Sequence, residues 1–362
     1  MNIQDKYKQS GGSIIWTPRE KDREWRYVAS SADGSKLVAV VFNGNIYTSV
    51  DYGVNWKIHM IDDDRAWSSV ASSSDGSKLV ACVYNGMIYT STDYGVSWIP
   101  RENQRNWTSI ASSADGNKLV ATNKFGKIYT SVDSGVNWIE RNEDRNWISV
   151  ASSEDGSKII AAIRGDQMYV SVNSGEDWLS TENRRNWASV ASSADGSKLV
   201  AVVQFDFIYT SDDSGLNWTP RMDEGIKRQW NSVASSADGS KLVASEYNGQ
   251  IYTSVDSGIT WTPSETNKPW KSVAISADGI KLVAVAGNDK IYTADLAPKS
   301  TPAPKVPIKT ISKVPVEPPL LSISIMPSLI NQQSNTHILG GYKQKYLKYK
   351  QKYIKLKNDI NQ

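Results

Sequence analysis

Over residues 13–296 the chain alternates apolar and polar residues in short runs, without the spacing of an amphipathic helix. In one stretch, four such runs follow one another at residues 109–113, 118–122, 127–132 and 138–141. Asp-Gly, Phe-Gly and Asp-x-Gly sequences separate the runs, and such sequences are typical of tight turns. The pattern predicts four short strands that form an up-and-down antiparallel sheet.

This stretch belongs to a repeat that occurs seven times. A string of the form W-x-S-V-A-S-S-x-D-G-x-K-L-V-A begins, with small changes, at Trp25, Trp67, Trp107, Trp147, Trp187, Trp230 and Trp270. The intervals are 42, 40, 40, 40, 43 and 40 residues, which is the length range of a four-stranded propeller blade. We therefore expect seven similar units around one axis.

A second motif, S-x-D-x-G-x-x-W, closes each of the first six repeats. The side-chain oxygen at its third position can accept hydrogen bonds from the backbone of a turn, and its glycine can adopt a positive φ. The tryptophan is predicted to start the fourth strand and to anchor the repeat by its burial. The residues expected to build these turns are Asp51, Asp93, Asp133, Asn173, Asp213 and Asp256, with Trp56, Trp98, Trp138, Trp178, Trp218 and Trp261.

The seventh repeat ends after Thr293 without this motif and so lacks a fourth strand. The sequence around Trp16 resembles the fourth-strand sequence around Trp218, which predicts that the N-terminal segment completes the last repeat. Such a closure would remove two open sheet edges. The predicted fold is all-β: a seven-bladed β-propeller with four-stranded blades over residues 13–296, closed by an N-terminal strand.

The S-x-D-x-G-x-x-W turns resemble the Asp boxes of BNR-type propellers, a repeat family that includes sialidases, sortilin-like receptors and photosystem assembly factors. The resemblance covers residues 13–295. It implies that the boxes are structural turns away from the functional face. Asn173 departs from the family pattern but keeps a hydrogen-bonding oxygen.

The composition changes after Leu296. Residues 297–341 are rich in Pro, Lys, Ser and Thr and are predicted to be a flexible linker. Residues 342–362 repeat Tyr, Leu and Ile at heptad spacing among seven Lys, which predicts a short basic helix. This tail resembles those on proteins of mimivirus-like giant DNA viruses, and the whole chain resembles a propeller-repeat protein of that group.

The net charge also differs between the repeats and the residues that follow them. The net charge of the 362 residues is +3, but residues 297–362 carry +9, so the repeats carry −6. The tail is expected to serve self-association or docking to a protein partner, with nucleic acid or an acidic membrane surface as the less favoured alternative. No secretory signal or membrane span is evident, and Cys82 has no second cysteine to pair with. The expected location is intracellular, in the host cytoplasm or in a virion.

The candidate catalytic residues are few. His59 and His337 are far apart in sequence, and Cys82 lies in a predicted apolar strand, so neither a Ser-His-Asp site nor a metal site is expected. No cofactor is predicted. A sialidase-like site would need Arg, Tyr and Glu side chains in one asymmetric pocket.

One further pattern suggests a ligand site. Two residues before each repeat-opening tryptophan lies a base: Arg23, Arg65, Arg105, Arg145, Arg185, Arg228 and Lys268. These bases are predicted to line one mouth of the central channel and bind an anion, or else to stack on the nearby tryptophan or pair with neighbouring acids. The sequence favours the second alternative. As a whole it favours a non-enzymatic scaffold that binds proteins, with a carbohydrate-active propeller, lectin-like or glycosidase, as the alternative.

Overall fold

The computed structural model describes residues 14–60, 64–222, 226–264 and 266–296, which contain strands and turns but no helix. None of these residues therefore belongs to a helix that could cross a membrane. The strands are β1 Thr17–Ser30, β2 Leu37–Gly44, β3 Ile46–Ser49, β4 Lys57–His59, β5 Arg65–Ser72, β6 Leu79–Ser91, β7 Ile99–Ser112, β8 Leu119–Ser131, β9 Ile139–Ser152, β10 Ile159–Ser171, β11 Leu179–Ser192, β12 Leu199–Asp206, β13 Ile208–Ser211, β14 Thr219–Arg221, β15 Arg228–Ser235, β16 Leu242–Gly249, β17 Ile251–Ser254, β18 Thr262–Pro263, β19 Lys268–Ile275 and β20 Lys281–Asp295.

The first repeat shows the strand order that the turns predict. The inner part of β1 pairs antiparallel with β2, β2 pairs with β3, and β3 pairs with β4. In several other repeats the second and third strands are one continuous strand that bends at a residue of positive φ, such as Phe125 with a φ of 60°. The predicted succession of four short antiparallel segments is therefore present.

Long strands also connect neighbouring repeats. The first half of β7 pairs with β6, where Tyr89 lies opposite Pro100, and its second half pairs with β8, where Ile110 lies opposite Ala121. One strand thus begins at the outer edge of a repeat and ends as the inner strand of the next.

A ring of backbone hydrogen bonds closes the array. Within the described ranges, the turn after each inner strand donates to the next repeat over 2.7–2.8 Å: Ala32 to Ser74, then to Ala114, Glu154, Ala194, Ala237 and Ala277, and from Ala277 back to Ala32. Because the last bond returns to the first residue, the array is a closed ring and not an open superhelix. The predicted all-β, propeller-like fold is confirmed.

The N-terminal strand completes the seventh repeat as predicted. Thr17 lies opposite Thr293 and Arg19 opposite Ile291 in the pairing of β1 with β20. Trp16 is 7% exposed and packs on Trp270 with 6.3 Å between ring centroids. Both ends of the repeat array therefore meet in one sheet.

The core is anchored by a different set of tryptophans than the sequence suggested. The repeat-opening residues, from Trp25 to Trp270, are at most 1% exposed, and each meets a tyrosine of the third strand edge to face at 5.0–5.6 Å. The tryptophans of the S-x-D-x-G-x-x-W turns are only half-buried, apart from Trp261 at 6%. All six indoles, that of Trp261 included, donate to the glycine carbonyl oxygen of their own turn, so this position does not by itself bury the ring.

The predicted linker at residues 297–341 and the predicted helix at residues 342–362 lie outside the described residues, so both stay predictions.

Candidate binding faces

The S-x-D-x-G-x-x-W turns form closed hydrogen-bond units. In the third repeat, the Ser131 hydroxyl donates to Asp133 Oδ1 over 2.8 Å, and the backbone N–H of Asn137 donates to the same oxygen over 2.9 Å. The indole of Trp138 donates to the Gly135 carbonyl oxygen over 3.0 Å. The Asn137 N–H bond is the leading cause that places the pKa of Asp133 below its usual value. The carboxylate is thus held as an anion by its own turn.

The fourth repeat exchanges the donor and the acceptor in this unit. Elsewhere the aspartate accepts from the side chain four residues later, as Asp133 does from Asn137 over 2.7 Å. Here Asn173 Nδ2 donates to the carboxylate of Asp177 over 3.0 Å. The departure from the motif is therefore compensated locally.

The turns between first and second strands hold a second series of carboxylates. Hydroxyls donate to them: Ser31 to Asp33 over 2.6 Å and Ser73 to Asp75 over 2.6 Å. These bonds, with those from the following residues, lower the pKa of both aspartates to about 2. Ser134 N–H donates to the Asn117 carbonyl oxygen, which joins the two kinds of turn on one side of the ring. We call this side the Asp face.

Lysines bridge neighbouring repeats across the Asp face. Lys78 Nζ lies 3.3 Å from the Ser134 hydroxyl, and Lys118 Nζ lies 3.4 Å from that of Ser174. Where a tyrosine replaces the serine, as at Tyr94, the lysine of the preceding repeat lies over its ring instead, at 5.4 Å for Lys36. The sequence shows these lysines, but it does not predict their bridging role, because that role depends on how neighbouring repeats pack against each other.

The seven bases before the opening tryptophans lie in the seams on the opposite side of the ring. The backbone of Arg105 pairs with Gly86 of the preceding repeat, while its guanidinium lies 4.6 Å from the ring centre of Tyr129. All seven bases repeat this cation–π contact at 4.4–5.0 Å, on Tyr47, Tyr89, Tyr129, Tyr169, Tyr209, Tyr252 and Tyr292. The aromatic partner is thus a tyrosine and not, as one alternative held, mainly the tryptophan.

Carboxylates lie beside several of these bases. Arg228 is 3.4 Å from Glu246 and Lys268 is 3.1 Å from Asp289. The side chains of those two bases are 24% and 23% exposed. In both cases the tyrosine ring and the carboxylate belong to the same repeat as the base, while the backbone of the base pairs with the preceding repeat. This geometry supports the packing role more than an anion-binding ring.

Arg105, Tyr129 and Glu140 come together in the combination that a sialidase-like site would need. The Tyr129 hydroxyl donates to Glu140 Oε1 over 3.0 Å. However, burial and the bond to Glu140 raise the pKa of Tyr129 to about 12, and the bond from Lys127 lowers the pKa of Glu140. A tyrosine that holds its proton is a poor nucleophile. Glu140 is the carboxylate partner of this tyrosine and not the separate acid that such a site also needs.

The sequence does not favour Cys82 or His59 as catalytic residues, and the structure places both on strands of the ring. Cys82 is fully buried, and burial raises the pKa of its thiol to about 12. His59 contacts the Thr48 hydroxyl at 2.8 Å, and burial lowers its pKa. Among the described residues, no group of three His, Cys, Asp or Glu side chains could hold a metal ion.

One residue near the central axis differs from its counterparts in the other repeats. Six repeats carry a serine at this position, such as Ser109, whose Oγ accepts from the Val150 N–H at 3.2 Å. The first repeat carries Tyr27, whose pKa is raised by burial although the hydroxyls of Ser69 and Ser109 act in the opposite direction. Because Ser109 belongs to the third repeat, Tyr27 must reach from its own repeat toward the axis.

A second irregular feature is the seam between the last and first repeats. It contains a cavity of about 510 Å³ lined by Ile14, Arg19, Tyr52, Lys281 and Asp295, among others. Three other seams contain cavities of about 10 Å³ each. Among the described residues, no S-x-D-x-G-x-x-W turn follows β20 to line this seam, in contrast to the other repeats.

The side opposite the Asp face carries exposed aromatic residues at the turns between second and third strands. We call this side the tip face, and we call Phe42, Tyr84, Phe125, Phe205 and Tyr247 the aromatic crown. The first four are 39%, 42%, 70% and 58% exposed, and Lys271 lies over the ring of Tyr247 at 4.9 Å. Comparison of the repeats could have found these residues, because this turn varies while its flanking strands do not.

The closed ring of antiparallel strands, with its packed seams, defines the class as a propeller-like all-β protein. Solved β-propeller structures are similar to it. YCF48 from Cyanidioschyzon merolae has a TM-score of 0.63 and 15% identity, over 78% of this chain and 98% of that one. YCF48 bound to D1 peptide gives 0.63 and 15%, over 80% and 99%.

The GH74 xyloglucanase from Xanthomonas campestris has a TM-score of 0.62 and 16% identity, over 77% of this chain and 53% of that one. This chain thus spans about half of the xyloglucanase. No protein-family model matches the sequence, and no curated protein matches it as a relative. At these identities the likeness shows the fold alone.

Proposed function

We propose that the protein is a non-enzymatic, seven-bladed β-propeller of the Asp-box type that binds a protein partner through its tip face. The aromatic crown carries the proposal. Aromatic side chains are enriched where proteins bind one another, and exposed ones add nothing comparable to the stability of a monomer. A similar structure, YCF48, has been solved with a bound peptide, which is consistent with this use of the fold.

The count of seven blades rests on the seven-membered ring of hydrogen bonds and on the seven buried tryptophans of the described residues. The Asp-box assignment rests on the hydrogen bonds of the S-x-D-x-G-x-x-W turns. Both features are structural and leave the tip face as the variable surface. The predicted tail at residues 342–362 would add a second point of attachment or self-association.

The carbohydrate-active alternative has less support. A glycosidase needs a carboxylic acid whose pKa is raised so that it can donate a proton near neutral pH. Among the described residues, every carboxyl group with a clearly shifted pKa is shifted downward, as for Asp93 at about 2, where the Ser97 hydroxyl is the main cause. These groups stabilise turns and seams as anions.

Capture experiments with the full chain test this function. The tagged protein is compared with a crown variant that combines Phe42→Ser, Tyr84→Ser, Phe125→Asn, Phe205→Asn and Tyr247→Ser, using a lysate of the cells that make it. We expect at least one protein to be captured by the parent and lost from the crown variant. The control is Val96→Ser with Val136→Ser, two exposed valines of the Asp face, and it should capture as the parent does. Equal capture by all three proteins would refute a role for the tip face.

A further inference from the structure

Two residues of the aromatic crown occupy an unfavourable backbone conformation. Phe125 and Phe205 have φ values of 60° and 61°. Four other repeats place asparagine at the same turn position with φ of 50–55°, namely Asn43, Asn85, Asn248 and Asn288. Asparagine tolerates positive φ, whereas a bulky aromatic residue there is strained by on the order of 1 kcal/mol.

Packing contacts do not offset this strain, because Phe125 and Phe205 are 70% and 58% exposed. A bulky residue that adopts a strained positive φ without a gain in packing points to a function.

The two phenylalanines lie on either side of an open position. Phe125 belongs to the third repeat and Phe205 to the fifth, and between them the fourth repeat carries Gly165. A Cβ atom added to Gly165 would meet no other heavy atom within 4 Å. The tip of the fourth repeat is therefore a gap with an aromatic ring at each neighbouring tip.

The surroundings of this gap carry two cations in addition to residues that form ion pairs with one another. Lys124 Nζ lies 5.2 Å from the ring centre of Phe125, and Arg164 is exposed. Neither enters an ion pair among the described residues. The carboxylates near the gap already have cationic partners. Asp166, next to Gly165, lies 3.0 Å from Arg184, Glu140 lies 2.6 Å from Lys127, and Asp206 lies 3.5 Å from Lys227. The charge left over at the gap is positive.

We propose that Phe125, Phe205 and Arg164 form a subsite for an acidic peptide segment with an aromatic side chain. Aromatic side chains of the partner would enter the gap over Gly165 and contact the phenylalanine ring on either side of it. Its flanking carboxylates would meet Arg164 and Lys124, which selects acidic over basic partners. This subsite rests on the proposed function and names the chemistry of the partner.

Fluorescence anisotropy with three labelled synthetic peptides tests the subsite. The first alternates Glu and Trp, the second replaces Trp by Ala, and the third replaces Glu by Lys. The full-length protein should bind the first peptide at least tenfold more tightly than either of the others, and added salt should weaken that binding. Phe125→Asn with Phe205→Asn should lower the affinity at least tenfold, and Arg164→Ser should also reduce its salt dependence.

Several results would overturn the subsite. They are no binding of the Glu-Trp peptide by the parent, equal binding of the Lys peptide, or unchanged binding by the Phe125→Asn, Phe205→Asn variant. Tighter binding of a single-stranded oligothymidine would assign the subsite to nucleic acid instead. Val96→Ser with Val136→Ser is again the control that should bind like the parent.

The lysate experiment separates this proposal from the broader one. Partner capture that persists in the two-residue variant but is lost in the crown variant refutes the subsite and keeps the tip face. Capture that is unchanged in both refutes the proposed function itself.

Discussion

The Asp face and the tip face are built on the same strands but differ in how they treat polar and aromatic side chains. On the Asp face, carboxylates accept bonds within their own turns, and lysines reach the next repeat, as Lys78 reaches Ser134. On the tip face, the turn residues change from repeat to repeat and aromatic rings stand exposed. The difference suggests that exact repetition within this chain maintains the ring, while variation is available for binding.

The seven bases show why repetition has to be interpreted with the structure. They lie on the tip side of the ring and yet recur in every repeat, and each is held between a tyrosine and the preceding repeat. Position on a face is thus a weaker guide than the number of contacts a side chain makes within the ring. Arg105 makes such contacts, whereas Phe125 is 70% exposed.

The largest effect is expected from opening the ring at its closure. Deletion of residues 1–20 removes the β-strand pairs of Thr17–Arg19 and the buried Trp16 ring. Loss of a buried tryptophan alone costs about 3–5 kcal/mol, so we expect a total loss of at least about 4 kcal/mol in the free energy of unfolding. Denaturant unfolding measures this value. Deletion of residues 1–13 is the matched control and should have little effect; equal stability of the two deletions would contradict the closure.

Much of this closure could be predicted from sequence, because the sequence around Trp16 is similar to the fourth-strand sequences of the other repeats, and the seventh repeat lacks such a sequence. The strand order followed from the spacing of the turns in the same way. The role of the opening tryptophans did not, because burial between two repeats depends on a seam that no single repeat encodes. The aromatic crown could not be predicted for a related reason. Phe125 and Phe205 are distinguished only by comparing the equivalent turns and by the exposure of their side chains, which the sequence does not give.

Acidification should destabilise the Asp face specifically. Hydroxyl donors, Ser236 for Asp238 and Ser73 for Asp75, lower the pKa of these aspartates to about 2 from an ordinary value of 3.8. A carboxylate with a lowered pKa in the folded state stabilises the protein above its unfolded pKa and loses that contribution as pH falls toward 2. Because these groups are largely exposed, solvent screens part of the effect.

The test compares the parent with Asp75→Asn, Asp238→Asn by thermal unfolding at several pH values. The variant should be less stable at pH 7, and the two melting temperatures should converge between about pH 4 and pH 2. A difference that stays constant over this range would show that the carboxylate charge is not responsible.

A smaller effect is expected where the fourth repeat exchanges donor and acceptor. Asn173→Asp would place a second carboxylate beside Asp177, which Asn173 Nδ2 now contacts at 3.0 Å. We expect a loss of about 1 kcal/mol in the free energy of unfolding, since a charge-assisted hydrogen bond becomes a repulsion. The double variant Asn173→Asp, Asp177→Asn recreates the arrangement of Asp133 and Asn137 and should recover the loss. No recovery in this double-mutant cycle would contradict the compensation.

The smallest expected effect is a gain in stability from a substitution on the tip face. It tests directly whether the two faces differ. Phe125→Asn gives the third repeat the residue that the first, second, sixth and seventh repeats carry at the same turn position. Relief of the strain at a φ of 60° should raise the free energy of unfolding by about 0.5–1 kcal/mol, measured by denaturant unfolding, since an exposed ring contributes little packing. The reciprocal change, Asn85→Phe, should lower it by a similar amount. If Phe125→Asn is instead destabilising, the ring of Phe125 packs within the propeller, and the tip face would not differ from the Asp face in the way that its use for binding requires.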